Sequence, residues 1–234
     1  MRPTLLACAC LVAALPVHPD SGILGQDAGA GPPEGWMVRT DRPGQDPADI
    51  DFMDMPPGWH VTTGPAAILW NPSHTASGEF RLEMESYLFD PRGRREGFGV
   101  FLGGRDLEGA DQEYVYFLLR EGNEFLVKRR RGDVTEVVVD WSPAPSMVSY
   151  AGKAEDEATA MNVLAVEAGD ETVRFLVNGE EVASLPRGSL SLDGVVGLRV
   201  NHALNLHVTR LDVETEGDPP QDVPAGDTPD RPEP

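Results

Sequence analysis

The stretch Glu79-Phe-Arg-Leu-Glu-Met-Glu85 alternates strictly, with Phe80, Leu82 and Met84 pointing one way and Arg81, Glu83 and Glu85 the other. A period of two is the signature of a strand with one buried and one wet face. Strand-like runs recur at Phe125–Arg130, Thr135–Trp141, Asn162–Ala168, Val173–Asn178, Val195–Val200 and Leu204–Val213. Gln112–Arg120 is apolar on both faces, as a central strand would be. Asn178-Gly179 lies between two β-rich runs and is a strong hairpin signal. Asp193-Gly194 and Glu121-Gly122-Asn123 are further turn candidates. Only residues 153–161 have helix-friendly composition, enough for one or two turns on a loop. About ten to twelve strands without βαβ alternation predict an all-β, antiparallel fold. The size favours a two-sheet jelly-roll β-sandwich over a small barrel.

The ends read differently from the middle. Residues 1–17 carry Arg2 and an apolar run from Leu5 to Leu15, the pattern of a secretory signal peptide. That run is shorter than the about 20 apolar residues a bilayer requires, and no later segment reaches that length, so no transmembrane segment is expected. Both cysteines, Cys8 and Cys10, fall inside it, so a cleaved chain has no disulfide and no thiolate metal site. Leu5-Leu6-Ala7-Cys8 resembles a lipobox, the alternative in which Cys8 carries a lipid anchor. Residues 18–35 read as a flexible linker, 36–214 as the β-sandwich domain, and 215–234 as a disordered acidic Pro-rich tail. The expected location is secreted, periplasmic or in the cell envelope of a bacterium.

Charge narrows the partners. Nineteen Lys and Arg against thirty-nine Asp and Glu give a net charge of −20 in 234 residues. Nucleic-acid binding relies on clustered cations, so no nucleic-acid partner is expected. Lys128-Arg-Arg-Arg131 is the only basic run, and a strand divides it between two faces. No Gly-x-Ser-x-Gly elbow occurs, and Gly103-Gly104 has no following helix to make a phosphate loop. His60, His74, His202 and His207 have no zinc-type spacing, and His202 and His207, five apart, would face opposite ways on one strand. No metal site or cofactor is therefore expected. The exception weighed is Ca²⁺ at the acidic loop of Asp106, Glu108 and Asp111.

Two sets of residues carry candidate chemistry. Glu83 and Glu85 share a strand face, roughly 6–7 Å apart at Cα, with Arg81 beside them. Retaining glycoside hydrolysis needs two carboxyl groups about 5–5.5 Å apart, so they are the candidate catalytic pair if the protein is a hydrolase. The other reading is a solvated strand face. Arg81, Tyr87, Tyr114, Tyr116, Arg120 and Arg199 form the candidate sugar-binding set, because aromatic faces cover sugar C–H surfaces while Arg bonds the hydroxyls. Trp59, Trp70 and Trp141 read as core or sheet-edge packing.

Gly97-Phe-Gly-Val-Phe-Leu-Gly-Gly104, Tyr114–Arg120, Asn162–Val166, Phe175-Leu-Val-Asn-Gly179 and Gly194-Val-Val-Gly-Leu-Arg199 together resemble the concanavalin A-like lectin/glucanase superfamily. Within it the pattern looks most like laminin-G-like and 3-keto-disaccharide hydrolase domains. The resemblance implies a β-sandwich with a curved sheet that binds sugars on its concave face or loop rim, and, from the laminin-G-like domains, calcium at a loop rim. Family-sixteen glucanases place their carboxylates as Glu-x-Asp-x-x-Glu, whereas Glu79, Glu83 and Glu85 are spaced four and two with no Asp. The sequence therefore points to a non-catalytic glycan-binding module. A glycosidic-bond hydrolase of the 3-keto-disaccharide type is the alternative, and a protein partner is the remaining one.

Overall fold

The computed structural model describes residues 31–215; the signal, most of the linker and the acidic tail lie outside the described residues. Fourteen strands follow in chain order: β1 (Met37–Thr40), β2 (Ile50–Asp54), β3 (Trp59–Thr63), β4 (Ala67–Ala76), β5 (Phe80–Leu88), β6 (Phe98–Arg105), β7 (Glu113–Arg120), β8 (Glu124–Arg131), β9 (Val134–Pro143), β10 (Ala160–Ala168), β11 (Thr172–Val177), β12 (Glu180–Pro186), β13 (Gly194–Val200) and β14 (Asn205–Thr215). They build two seven-stranded sheets. The first has the order β1-β4-β13-β6-β7-β8-β9 and the second β12-β11-β10-β5-β14-β3-β2, antiparallel throughout. The all-β jelly-roll sandwich read from the periodicity is the fold observed.

Alternation decides what each strand buries. In β5, Phe80, Leu82, Met84 and Leu88 are buried, while Arg81, Glu83, Glu85 and Tyr87 are half-buried on the outer side. β7 sends Val115, Phe117 and Leu119 into the space between the sheets, where the Phe117 ring meets Phe175 of β11 edge-on at 5.2 Å. That contact ties one sheet to the other, and edge-to-face rings add to the burial itself. The second face of β7 is also apolar, with Tyr114, Tyr116 and Leu118 in a separate buried cluster outside the first sheet.

The turns follow their residues. Asn178 and Gly179 have φ of +50° and +84°, the left-handed pair that a two-residue hairpin between β11 and β12 demands. Gly58, between β2 and β3, has φ +84°, and a Cβ there would stand 2.0 Å from the Val208 carbonyl oxygen. Residues 153–159 form turns and bends with no helix, and 160–161 already belong to β10. The helix-friendly composition loses because Ala160 and Met161 pair with Leu88 and Tyr87, extending the sheet. The nearby helical turn is a 3₁₀ turn at Tyr150–Gly152, capped by Ser149. Fourteen strands exceed the ten to twelve expected because segments such as the four-residue β1 are too short to display a period.

Candidate functional site

Two surfaces compete for the role of site: the outer faces of the two sheets. On the first sheet, register sets out two parallel rows. One runs Arg39, Ile68, Arg199, Gly99, Leu118, Leu126, and the next Met37, Trp70, Gly197, Phe101, Tyr116, Lys128, Val137. Directly opposed residues share a face, so strands remote in sequence bring these side chains together. Gly197 has to be glycine, because a Cβ there would lie 2.6 Å from the Phe101 ring.

A buried ion-pair cluster occupies one end of this face. The Arg199 guanidinium grips the Asp41 carboxylate with both terminal nitrogens, the Nη2–Oδ2 bond being 2.5 Å. Arg130 Nη1 lies 3.6 Å from the same carboxylate. Arg199 also sits 5.6 Å from the Tyr116 ring centroid. Burial alone would raise the Asp41 carboxyl, but the Arg199 hydrogen bond and the charges of Arg199 and Arg130 override it and hold it below its ordinary value. For Arg199, burial opposes the charge, yet the Asp41 hydrogen bond wins and its pKa is raised. Burial likewise raises Tyr114 and pushes Tyr116 up to about 12, so both phenols are neutral hydrogen-bonding groups at pH 7.

Two loops close over this cluster. Arg39 Nη1 donates to the carbonyls of Leu107 and Gly109, each at 2.6 Å, fastening the loop between β6 and β7, and Leu107 packs among the outer apolar side chains. The Gln112 amide oxygen accepts from Arg39 and Arg130 at 3.1–3.2 Å. Asp41 comes from the loop after β1, and a cleft of about 440 Å³ opens there, lined in part by Arg39, Asp41, Arg42, Trp70 and Glu108.

The other end of the face is open. Trp141 of β9 is half-buried, its ring 3.4 Å from where a Gly97 Cβ would stand, with the Arg120 guanidinium 3.8 Å from its centroid. Arg120 Nε donates to Glu124 at 2.7 Å, and Arg95 Nη2 reaches the same carboxylate oxygen at 2.6 Å. The Arg120 hydrogen bond is the main influence holding the Glu124 carboxyl below its ordinary pKa. Lys128, beside Tyr116, is half-buried and has no ion-pair partner among the described residues.

The second sheet's outer face carries the other predicted residues. Arg81 bonds Glu83 Oε2 (Nη2 at 2.5 Å) and also pairs with Glu167, while Arg210 takes Glu83 Oε1. Glu85 accepts from the Tyr87 hydroxyl at 3.1 Å and from Thr209 Oγ1 at 2.7 Å. Burial, then the Glu85 charge, raises the Tyr87 phenol. A cleft of about 420 Å³ at the end of this face is lined by Arg81, Glu167 and Arg174 among others, but not by Glu83 or Glu85. The sandwich thus separates the predicted set: Tyr114, Tyr116, Arg120 and Arg199 on one side, Arg81, Glu83, Glu85 and Tyr87 on the other. Asp41 and Arg130, partners of Arg199, escaped the sequence reading because only the closed fold brings them to it. Trp141, expected to pack at a sheet edge or in the core, packs half-buried against the outer apolar cluster of the first sheet. Among the described residues no three His, Cys, Asp or Glu side chains gather to hold a cation, the Asp106–Asp111 loop included.

No protein-family model matches the chain, nor does any curated protein. Solved structures do. Similar folds include a carbohydrate-binding module, CBM66, from Bacillus subtilis (TM-score 0.53, 12% identity, covering 77% of this chain and 96% of that one). They also include a Bacteroides ovatus mixed-linkage-glucan GH16 protein in complex with G4G4G3G product (0.53, 9%, 82% and 100%). A third is a Bacillus subtilis protein of unknown function with a galectin-like fold (0.51, 11%, 76% and 88%). The protein has the concanavalin A-like lectin/glucanase fold.

Proposed function

We propose that the protein is a non-catalytic carbohydrate-binding module that holds a glycan on the outer face of the first sheet. The carrying observation is the half-buried Trp141 ring with the Arg120 guanidinium 3.8 Å from its centroid, on the same outer face as Tyr116 and the unpaired Lys128. An aromatic plane covers a sugar's apolar face, while Arg120, Lys128 and Glu124 supply fixed donors and acceptors for its hydroxyls. Arg199 and Asp41 act from beneath as a rigid floor and make no demand on solvent. The folds shared with a carbohydrate-binding module and a glucanase support the same reading. The basic, then apolar, opening segment supports a location outside the cytoplasm.

The hydrolase alternative needs Glu83 and Glu85 to meet a glycosidic oxygen. Both Glu83 oxygens are already engaged by arginines, and Glu85 is bonded to Tyr87 and Thr209. A glycan-array screen of the protein, with reducing-end release assayed on each hit, separates the readings. The binding module predicts retention without release, lost at least tenfold in Trp141→Ala and unchanged in Glu83→Gln/Glu85→Gln. Release abolished by the double substitution would replace it with a hydrolase.

A further inference from the structure

The outer face of the first sheet carries more positive charge than its own anions balance. Arg39, Arg120, Lys128, Arg130 and Arg199 project from its strands on this side. Against them stand Glu124 from the same strands and Asp41 from the loop after β1. The outer face of the second sheet has the opposite balance, with Arg81, Arg174 and Arg210 against Glu83, Glu85, Glu167, Asp212 and Glu214. The chain has thirty-nine acids to nineteen bases, so the acid excess stops at the first sheet's outer face.

The imbalance is greatest at the buried end. The Arg199 and Arg130 side chains are 8% and 12% exposed, and both share the single Asp41 carboxylate. Arg39 has no ion-pair partner among the described residues; it shares the Gln112 amide oxygen with Arg130 and spends Nη1 on the carbonyls of Leu107 and Gly109. Three guanidiniums thus gather around one carboxylate, two positive charges in excess. The Arg199 Nε–H is buried and has no acceptor. A buried charge without a counter-ion is costly, and the guanidinium fork matches the paired oxygens of an oxyanion. The cleft of about 440 Å³ opens at this cluster. Arg39 and Asp41 line it, Met37 and Trp70 give it an apolar wall, and the exposed Arg42 and Glu108 offset one another at its rim. Its volume falls in the range of about 300–1,000 Å³ that small-molecule sites occupy.

Resting on the carbohydrate-binding reading above, we propose that the glycan is an acidic one, and that its carboxylate or sulfate group enters this cleft and balances the Arg39–Arg130–Arg199 cluster. Trp70 of the cleft wall shares a register row with Gly197, Phe101, Tyr116 and Lys128. A sugar chain laid across the strands runs from the cleft to Lys128 in four strand-to-strand steps of about 4.8 Å, roughly 19 Å. Lys128, also without an ion-pair partner among the described residues, meets a second acidic group at the far end of that row. The net charge of −20 does not forbid such a ligand. At about 0.15 M salt, charges are screened beyond about 8 Å, so the cations lining the cleft outweigh the distant acids.

The test compares matched glycans on the full-length protein at about 0.15 M salt. Galacturonate, glucuronate and mannuronate oligomers are set against the same chains after carboxyl reduction, and sulfated oligosaccharides against their desulfated forms. The expected result is that an acidic form binds at least tenfold more tightly than its uncharged counterpart, the preferred pair showing whether the group is carboxylate or sulfate. Arg39→Gln should lower that acid-to-neutral ratio at least fivefold. Arg42→Gln, an exposed change that breaks no described side-chain contact, should lower it about threefold, and Trp141→Ala should weaken both forms alike. Equal or tighter binding of the uncharged forms would overturn the proposal and leave the carbohydrate-binding module standing. An acid preference that neither arginine variant alters would place the acidic group elsewhere and also overturn it. Binding of no glycan, acidic or neutral, would overturn both.

Discussion

The Asp41–Arg199 pair is the most exacting contact on the first sheet's outer face, because Arg199 is 6% exposed and its charge has no other anion so close. Removing one partner of a buried ion pair leaves an uncompensated charge and costs about 3–5 kcal/mol. Arg130 remains 3.6 Å from Asp41, so Arg199→Met should fall at the low end of that range, measured by urea unfolding. The pair also sets an acid limit. Its folded carboxyl is lowered from 3.8, so the unfolded chain binds the proton first and stability falls with falling pH. The contribution is complete above about pH 4 and is lost as pH drops towards the folded value. The stability gap between wild type and Asp41→Asn should therefore be constant from pH 5 to 7 and narrow below pH 4. A gap that narrows instead near pH 6 would assign the effect to a histidine.

Hairpins and strands divide into those their own residues specify and those the fold imposes. The β11–β12 turn belongs to the first kind. Asn178 and Gly179 sit at φ +50° and +84°, and the Asn178 side chain ties the turn to its surroundings, accepting from Val163 N at 2.8 Å and donating to Ser146 O at 2.7 Å. Gly179→Val should cost about 1–3 kcal/mol, because a β-branched residue in that conformation is strained. A thermal melt checks it, and an unchanged Tm would refute the assignment. The strands β5 and β7 are legible because β5 alternates over nine residues and β7 is an eight-residue run apolar on both faces. β1 is not, having four half-buried residues and no period of its own. Nor is the site as a unit. Asp41 meets Arg199 through strand order alone, and no local pattern records which strands become neighbours. The same blindness joined Arg81 and Tyr116 in one candidate set, though the structure puts them on opposite outer faces.

Across the whole molecule, one core is shared by two sheets whose outer faces have different characters. Phe117 and Phe175 join the sheets, so Phe117→Ala should cost about 3–5 kcal/mol and loosen both at once. Two-state unfolding with coincident fluorescence and circular-dichroism transitions should persist in the variant. The first sheet's outer face has a half-buried aromatic plane with fixed polar groups beside it. The second has a lattice in which Arg81, Arg174 and Arg210 are paired with Glu83 and Glu167. A glycan gains more from the former, because it offers an aromatic plane and a lysine without an ion-pair partner, which the latter's lattice of ion pairs does not. The most direct test is a ¹H–¹⁵N spectrum of the protein with the best glycan-array hit, following the four tryptophan indole resonances. The account predicts that the Trp141 indole shifts with saturation while resonances of Glu83, Glu85 and Tyr87 stay in place. Saturable shifts at Glu83 and Glu85 with Trp141 unmoved would contradict it.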